Sequence, residues 1–458
     1  MIESDAFKLL LINLFHLNPD DIANIFCTTF NKMMVLLVTL ADKHQACPYC
    51  GFTAPKIKEY VTKEITHSAL TTQKCIIKYR ARRYKCPCCG KTYYEFNPFV
   101  FKSQKISILT VHNILKDLKD FNETFTSVAR RYHVSPTSVS TIFDNHVDIG
   151  RNPLPEIINF DEVYAFKSEK SKYVCVLLDF KKQIPVDVLP NRKKEYLLNY
   201  FQKIPLEERK KVKYACSDMY EVYRDVVHKV FPCSCMLLDY FHLSQDFHRK
   251  MNEVRIKVMK GYKDDKASDE YYLLKKFNWL LFKNPEDEDK YGRLFDVERE
   301  RKYNSHFKSY MNYYNLRRKL LEINNDLTIC YSLKLELVDF YSKSTIDNAQ
   351  VNLEHLIRSC IDTNIEEMIA FSNNLINWKQ EIINSFTIVG TEYKVEADKG
   401  QVVVCNKKVN NAIIENRNKI IKCIKNNANG YTNWSRFRNR VMYVLDPNAT
   451  FSLEPREK

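Results

Sequence analysis

The sequence predicts a multidomain α+β protein, and three observations support this fold class. The chain has 458 residues, which is too long for one compact domain and suits roughly two to four. Two Cys-x-x-Cys pairs lie in the N-terminal part and are followed by a helical segment with clear capping residues. Short β-branched runs begin near Pro155, and several of them end on a carboxylate. Different local patterns therefore occupy different parts of the chain.

Composition restricts the class of protein. Hydrophobic residues make up 45% and charged residues 28%, a balance that is typical of globular proteins and excludes collagen-like and disordered chains. The longest apolar run, 33–41, is too short to cross a bilayer, and the N-terminus lacks a signal-peptide pattern. We therefore expect a cytoplasmic protein without a membrane partner. The net charge of +15 favours a polyanionic partner.

Four cysteines have the spacing of a structural Zn²⁺ site. In each pair a Pro follows the first Cys and a Gly follows the second, as in a tight turn that presents two thiolates to one metal. The chain has only 8 glycines, so one behind each pair is informative. The alternative is two chance turns with buried thiols. The predicted zinc ligands are Cys47, Cys50, Cys86 and Cys89, with Cys88 as a bystander.

The long spacer between the two pairs predicts an inserted β-hairpin. Cationic and apolar side chains alternate along its second half, 75–85, as in a strand with one solvent-facing side. A basic hairpin of this kind is expected to contact DNA phosphates. The candidate contact residues are Arg80, Arg82 and Arg83.

Residues 126–146 have the layout of a helix-turn-helix. A turn at 133–135 leads to Ser135, which is suited to cap a second helix with Pro136 at its first position. The second helix of this motif enters the major groove of DNA. The base-facing side chains are expected to be Thr137, Ser138, Ser140 and Thr141. An ordinary helical hairpin is the alternative.

Five strands and two intervening helices are predicted beyond Pro155, in the order β-β-β-α-β-α-β of a ribonuclease-H-like core. The predicted strands are 157–163, 172–180, 184–189, 212–218 and 235–239. In such a core the first and fourth strands are neighbours, so Asp161 and Asp218 are expected to share a divalent metal. Two such ions about 3.5–4 Å apart promote phosphodiester chemistry, and Mg²⁺ suits this role. Glu162 follows Asp161 on the same strand and should point to the opposite face.

Several motifs together resemble the ISL3 family of insertion-sequence transposases. The C-terminal stretch 409–422, with Asn411, Glu415 and Asn418, followed by Gly430-Tyr431 and by 437–440, resembles that family's final acidic helix and the segment after it. Other matches follow the family's order along nearly the whole chain. They are the cysteine pairs, the helix-turn-helix, Asp161-Glu162, Ser217-Asp218-Met219, Asp239-Tyr-Phe-His242 and the Trp378 segment.

This resemblance implies a DNA transposase with a DDE triad of Asp161, Asp218 and Glu415 that binds Mg²⁺ or Mn²⁺. Asp239 and His242 are expected to support that site. The implied partner is double-stranded DNA, namely the element's terminal inverted repeats and a target, bound by a homo-oligomer near a bacterial nucleoid. Two alternatives remain: a domesticated DNA-binding regulator without catalysis, and a structure-specific nuclease of the same fold that does not transfer strands.

The expected domain boundaries follow from these patterns, and the last segment should be a frayed polar tail. The segments are 1–40 (N-terminal helical segment), 41–100 (zinc-binding ribbon), 101–150 (helix-turn-helix domain), 151–254 (first part of the catalytic core), 255–385 (α-helical insertion), 386–446 (second part of the core, with the final acid) and 447–458 (tail).

Overall fold

The computed structural model describes residues 2–43, 45–68, 70, 72–101, 104–166, 171–395 and 402–456. It has a mixed α/β architecture whose two five-stranded sheets lie in different parts of the chain. Among the described residues, no helix is both long and apolar enough to span a membrane.

The N-terminal module combines one helix with the first five-stranded sheet. Its order is β1-β2-β4-β3, with β5 paired to β4. The predicted hairpin is confirmed, because β3 and β4 pair antiparallel along their whole length. The bounds are α1 (Ile2–Leu14), β1 (Ile22–Phe30), β2 (Met33–Leu40), β3 (Lys56–Thr66), β4 (Cys75–Lys85) and β5 (Thr92–Tyr94).

The expectation that 1–40 is helical is wrong for 22–40. Only α1 is helical, and β1 and β2 form an antiparallel hairpin. Asn31 and Lys32 both have positive φ, 48° and 60°, as a two-residue type I′ turn requires. Even-numbered residues of β2, such as Leu36 and Val38, enter the core. Alternation of this kind belongs to a strand, not to a helix.

Three helices follow, α2 (Ile108–Asp117), α3 (Phe125–Arg131) and α4 (Pro136–His146). Ser135 caps α4 by accepting a hydrogen bond from the backbone N–H of Ser138, with Pro136 at the first helical position. His133 has a φ of 54° in the turn between α3 and α4. Both the turn and the cap therefore agree with the helix-turn-helix prediction.

The second five-stranded sheet has the order β10-β9-β6-β7-β8. β6, β9 and β10 are parallel, and β7 and β8 add antiparallel strands. Apolar side chains of α5 and α7 pack on one face and those of α15 and α16 on the other. The strands predicted from the sequence are thereby confirmed. The bounds are β6 (Ile157–Val163), β7 (Val174–Asp179), β8 (Pro185–Leu189), α5 (Lys194–Gln202), α6 (Leu206–Arg209), β9 (Tyr214–Ser217), α7 (Glu221–Val230) and β10 (Cys235–Leu238).

A mainly helical region with its own core separates β10 from the last part of the fold. It begins earlier than the expected residue 255, because α8 starts directly after β10, and it contains two short β-hairpins. The bounds are α8 (Tyr240–Lys260), α9 (Asp269–Lys276), a 3-10 helix (Asn278–Phe282), β11 (Glu288–Asp289), β12 (Gly292–Arg293), β13 (Lys302–Asn304), β14 (Ser309–Met311), α10 (Tyr313–Glu322), α11 (Asn325–Lys343), α12 (Ala349–Asp362), α13 (Glu366–Asn377) and α14 (Lys379–Asn384).

A hairpin of β15 (Ile388–Val395) and β16 (Val402–Lys408) leads to α15 (Ala412–Asn427) and α16 (Trp434–Leu445). The residues after α16 do not fray as expected. The ring of Phe451 packs edge-on against His112 at 5.6 Å, and the N–H of Ser452 donates to the carbonyl of His146. The guanidinium of Arg456 donates to the carbonyl of Val147. These contacts fasten the segment to the helix-turn-helix.

Candidate active site

Three aspartates lie side by side at one end of the second sheet. β6 pairs with β9 in a register that joins Asn159 to Cys216, and continuing it by two residues places Asp161 opposite Asp218. β10 pairs with β9 so that Leu238 is opposite Ser217, which places Asp239 next in the row. Neighbouring strands are about 4.8 Å apart, so the three carboxylates belong to one cluster.

Two helices add a histidine and a glutamate to this row. His242 lies in the first turn of α8, and Glu415 lies in the first turn of α15. One ligand atom from each of Asp239, His242 and Glu415 lies within 4.8 Å of the others. The Nε2 atom of His242 is 3.8 Å from Oδ2 of Asp239. The structure therefore brings together all five residues for which the sequence predicts a catalytic or supporting role.

The electrostatics of the cluster are those of carboxylates forced together with little solvent. Burial and, next, the negative charge of Asp218 raise the pKa of Asp161 from 3.8 to about 7. Glu415 and Asp239 act in the same direction, whereas His242 acts against them. Burial also raises the pKa values of Asp218 and Asp239. Such a site is stabilised by a bound cation.

The donor set fits a divalent metal ion. Oδ1 of Asp218, Oδ2 of Asp239 and Nε2 of His242 are buried, and none of them has a hydrogen-bond partner among the residues that the structure describes. Buried polar atoms are normally paired, so these three atoms need a ligand. Hard ions such as Mg²⁺ and Mn²⁺ prefer carboxylate oxygens.

A solvent-open cleft leads to this cluster. It has a volume of about 470 Å³ and is lined by Asp218, His242 and further residues of α8, including Asp246 and Arg249. The guanidinium of Arg249 is exposed and paired with Asp246. The cleft therefore connects Asp218 and His242 of the cluster to solvent.

Comparison with known proteins identifies the family. The family model of DDE transposases of the ISL3 type, described as transposase, matches residues 158–397, more than half of the chain. The chain belongs to this family. It is also 20% identical over 410 residues to the transposase for insertion sequence element IS1001 of Bordetella parapertussis, covering 89% of this chain and 90% of that protein.

Membership in the family implies an enzyme that acts on DNA with divalent metal ions. The matched range contains Asp161, Asp218, Asp239 and His242 but ends before Glu415. Glu415 is tied to the cluster by its position in the structure, where it lies close to Asp239 and His242.

Asparagines hold the acids of this transposase in place, a role that was not predicted for them although Asn411 and Asn418 lie in the stretch that resembles the family. The side-chain N–H of Asn418 donates to Oδ2 of Asp161 at 2.7 Å. The backbone N–H of Asn411 donates to Oδ1 of Asp239 at 3.3 Å, and the side-chain amide of Asn159 donates to Oδ1 of Asn411 at 2.7 Å. One sign of this network was visible: Asn159 is a lone polar residue in an otherwise apolar strand segment.

An arginine that the sequence analysis also missed lies beside the acids. Arg192 forms an ion pair with Glu162, and its guanidinium lies 4.8 Å from the ring centre of Tyr173 and 4.7 Å from that of Tyr220. Its positive charge lowers the pKa of Asp218, against the larger effect of burial. Glu162 therefore positions Arg192 and lies outside the acidic cluster.

The four predicted cysteines converge at the N-terminal module. Their sulfur atoms lie within 4.8 Å of one another, with 3.7 Å between Cys47 and Cys89 and 3.5 Å between Cys50 and Cys86. A tetrahedral zinc site with bonds near 2.3 Å has sulfur–sulfur edges of about 3.8 Å, so the cluster is compatible with Zn²⁺. Cys88 is exposed and outside the cluster.

Both cysteine turns depend on a glycine with positive φ. Gly51 has a φ of 74° and Gly90 a φ of 69°, a conformation that L side chains rarely adopt. Each glycine donates its N–H to the carbonyl of the first cysteine of its pair. The Gly behind each pair therefore has the role that the sequence analysis inferred.

The three arginines predicted on the hairpin differ in their surroundings. Arg80 is exposed and lies over the ring of Tyr60 at 4.9 Å, and Arg83 is half-buried and pairs with Glu59. Arg82 instead forms a salt bridge with the buried Glu95 and donates to the carbonyls of residues 40 and 41. All of these partners of the Arg82 guanidinium belong to the N-terminal module.

The predicted recognition helix keeps its polar side toward solvent. Thr137 and Thr141 are exposed, and Ser138 and Ser140 are half-buried. The hydroxyl of Ser138 bonds to that of the cap residue Ser135, and the hydroxyl of Ser140 donates to the carbonyl of Thr137. The two threonines are therefore the side chains of this set that are freest to meet DNA.

Proposed function

We propose that this transposase binds the terminal inverted repeats of its own element, hydrolyses the DNA at the element ends and joins the freed 3′-hydroxyl to target DNA. The observation that carries the proposal is the row of Asp161, Asp218 and Asp239 with Glu415 beside it, in which buried oxygens of Asp218 and Asp239 lack partners in the described part of the chain. A set of this kind is suited to two-metal phosphodiester chemistry.

In this proposal Asp161, Asp218 and Glu415 are the principal ligands of Mg²⁺ or Mn²⁺, and Asp239 and His242 support them. The bound ions supply Lewis-acid chemistry at the attacking and leaving oxygens. Asp161 would hold the metal through its ionised carboxylate. Asn418 keeps one oxygen of Asp161 in place through its amide N–H.

DNA recognition is assigned to the N-terminal modules. The exposed face of α4, with Thr137 and Thr141, suits a major groove, and Ser138 and Ser140 border it. Arg80 and Arg83 lie on a strand beside the four-cysteine cluster and are proposed to contact phosphates. Arg82 is excluded from this role because it pairs with Glu95. The four cysteines would hold a structural Zn²⁺ that stabilises the fold beneath this surface.

Cleavage of a labelled element end tests the proposal. Wild-type protein in Mg²⁺ should cut the end and leave a 3′-hydroxyl, and Asp218→Asn should bind the end equally well without cutting it. Asp225→Asn is the matched control, because Asp225 lies on the next helix and pairs with Lys194 away from the cluster; it should cut normally. Joining of the cut end to a target plasmid separates a transposase from a nuclease.

Binding without cleavage by the wild type, in both Mg²⁺ and Mn²⁺, would contradict the proposal. It would instead support a DNA-binding regulator that has lost catalysis. Two ends must be processed together, so the active species is proposed to be a homo-oligomer on paired ends.

A further inference from the structure

The first strand of the N-terminal sheet has a free edge that carries no charge and no proline, and its one irregularity lies at its start, between Ile22 and Asn24. Among the strands that the structure describes, β1 pairs only with β2, and its sequence, IANIFCTTF, contains neither a charged residue nor a proline. The other edge strand, β3, carries lysines and glutamates along its length. Natural proteins place charges or prolines on edges that must not pair with another chain. β3 follows this rule and β1 does not.

The type I′ turn at Asn31-Lys32 determines which backbone groups of β1 face outward. In a two-residue hairpin the residues flanking the turn, Phe30 and Met33, exchange backbone hydrogen bonds. The pattern alternates along the strand. The backbone N–H and C=O groups of Thr28 therefore also point to β2, whereas those of Cys27 and Thr29 point to the free edge. Within the described part of the chain, no hydrogen bond from another segment reaches these groups.

The side chains at this edge are apolar and exposed on both sides of the sheet. On one face Phe26 is 60% and Phe30 63% exposed, and Leu37 of β2 lies opposite Phe26. On the other face α1 packs against β1 and exposes Phe7, Leu10 and Leu14 at helical spacing.

We propose that β1 pairs antiparallel with β1 of a second copy, so that two N-terminal sheets join into one. An edge of this kind is self-complementary about a two-fold axis. With the axis at Thr28, Cys27 of one copy exchanges hydrogen bonds with Thr29 of the other. Phe26 then lies opposite Phe30 of the second copy, an aromatic cross-strand pair. The helices α1 of both copies come to the same side of the joined sheet.

The area available is appropriate for a stable dimer. The exposed parts of the six apolar side chains amount to roughly 600 Å² per copy, taking about 200 Å² for a whole Phe and somewhat less for Leu. The paired backbone adds to this area. A standard interface buries about 800 Å² per partner. The second copy supplies the same surface, so no other partner is needed.

Sedimentation velocity of the full-length protein without DNA, over the micromolar range, tests the association independently of cleavage. The wild type should be a dimer, and the double variant Phe26→Lys/Phe30→Lys a monomer with unchanged circular dichroism and zinc content. Ile57→Lys is the matched control, an exposed apolar residue on the opposite edge strand β3, and should remain dimeric. A monomeric wild type, or a double variant that still dimerises, would overturn the proposal.

A cysteine substitution tests the pairing itself. Directly opposed residues of this kind have Cα atoms about 4.5 Å apart, within the range that a disulfide spans. Mild oxidation of the Thr28→Cys variant should therefore form a disulfide between residue 28 of one copy and residue 28 of the other, which peptide mapping detects. Thr39→Cys, exposed on the inner strand β2, should not give such a link. A Thr28→Cys dimer without the self-link would overturn the pairing.

Discussion

Replacing Asp161 by asparagine should stabilise the metal-free protein at alkaline pH. The pKa of Asp161 is raised from 3.8 to about 7 in the folded protein, so the folded state retains a proton that the unfolded chain releases. The ionised carboxylate therefore destabilises the fold increasingly from about pH 4, and the effect levels off above about pH 7. The introduced amide would carry no charge at any pH, and its oxygen can accept the hydrogen bond from Asn418.

The size of the effect follows from the pKa. Each unit corresponds to about 1.4 kcal/mol, so a rise of about three units gives ~4 kcal/mol at pH 8 as an upper bound. Between pH 5 and pH 8 the advantage of the variant should grow by about 2–3 kcal/mol. A catalytic domain of about 300 residues unfolds with an entropy of about 0.6 kcal/mol/K, so the difference between the two melting temperatures should widen by roughly 3–5 °C.

Differential scanning calorimetry of both proteins at pH 5 and pH 8, in buffer without Mg²⁺ and without chelators that would remove zinc, measures this difference. Glu162→Gln is the control on the same strand: it loses the ion pair with Arg192, so its melting temperature should fall at both pH values. A difference between Asp161→Asn and wild type that is equal at pH 5 and pH 8, or larger at pH 5, would refute the electrostatic reasoning. Added Mg²⁺ should raise the melting temperature of the wild type more than that of Asp161→Asn.

Three further outcomes test other parts of the structure. Cys86→Ser should lose stoichiometric zinc and binding to element ends, whereas Cys88→Ser, outside the cluster, should keep both in metal analysis and gel-shift assays. Asn418→Leu should slow end cleavage about 10–100-fold, as loss of contacts behind metal ligands typically does, with end binding unchanged. Arg440→Met should lower stability by about 2 kcal/mol, because the buried guanidinium donates to two carbonyls of the loop before α3; an unchanged melting temperature would contradict this role.

The sequence predicted those parts of the fold that depend on local pattern. The strands of the second sheet are short, β-branched and bounded by turns, and the two cysteine pairs carry their own glycines. The strand register then brings the acids together, because β6, β9 and β10 are parallel neighbours that place Asp161, Asp218 and Asp239 at the same level. The strand pattern therefore predicted that Asp161 and Asp218 share one site, whereas the role of Asp239 was implied only by the family resemblance.

Other parts depend on contacts between distant segments, and the local sequence does not show which residues meet. The segment after α16 has the composition of a polar tail, yet it is held by carbonyls in and just after α4, far away in the sequence. The contact between the asparagines behind the acids is equally non-local, because the whole helical region separates Asn159 from Asn411 in the chain. For residues 22–40, the turn at Asn31-Lys32 makes the segment a hairpin and not a helix. Neither turn residue is a glycine, so the usual sequence sign of such a turn is missing.

The helical region is part of the site and not an appendage to it. Its first helix, α8, carries His242 of the cluster in its first turn, and the same helix continues with Leu243, Phe247 and Met251 in the core of the region. The imidazole is therefore held in place by the packing of residues that lie outside the second sheet. At its other end the region returns through β15 and β16 directly to Asn411, whose N–H holds Asp239. A chain that lacked this region would lose the support of both His242 and Asp239, which explains physically why so long a segment separates Asp218 from Glu415.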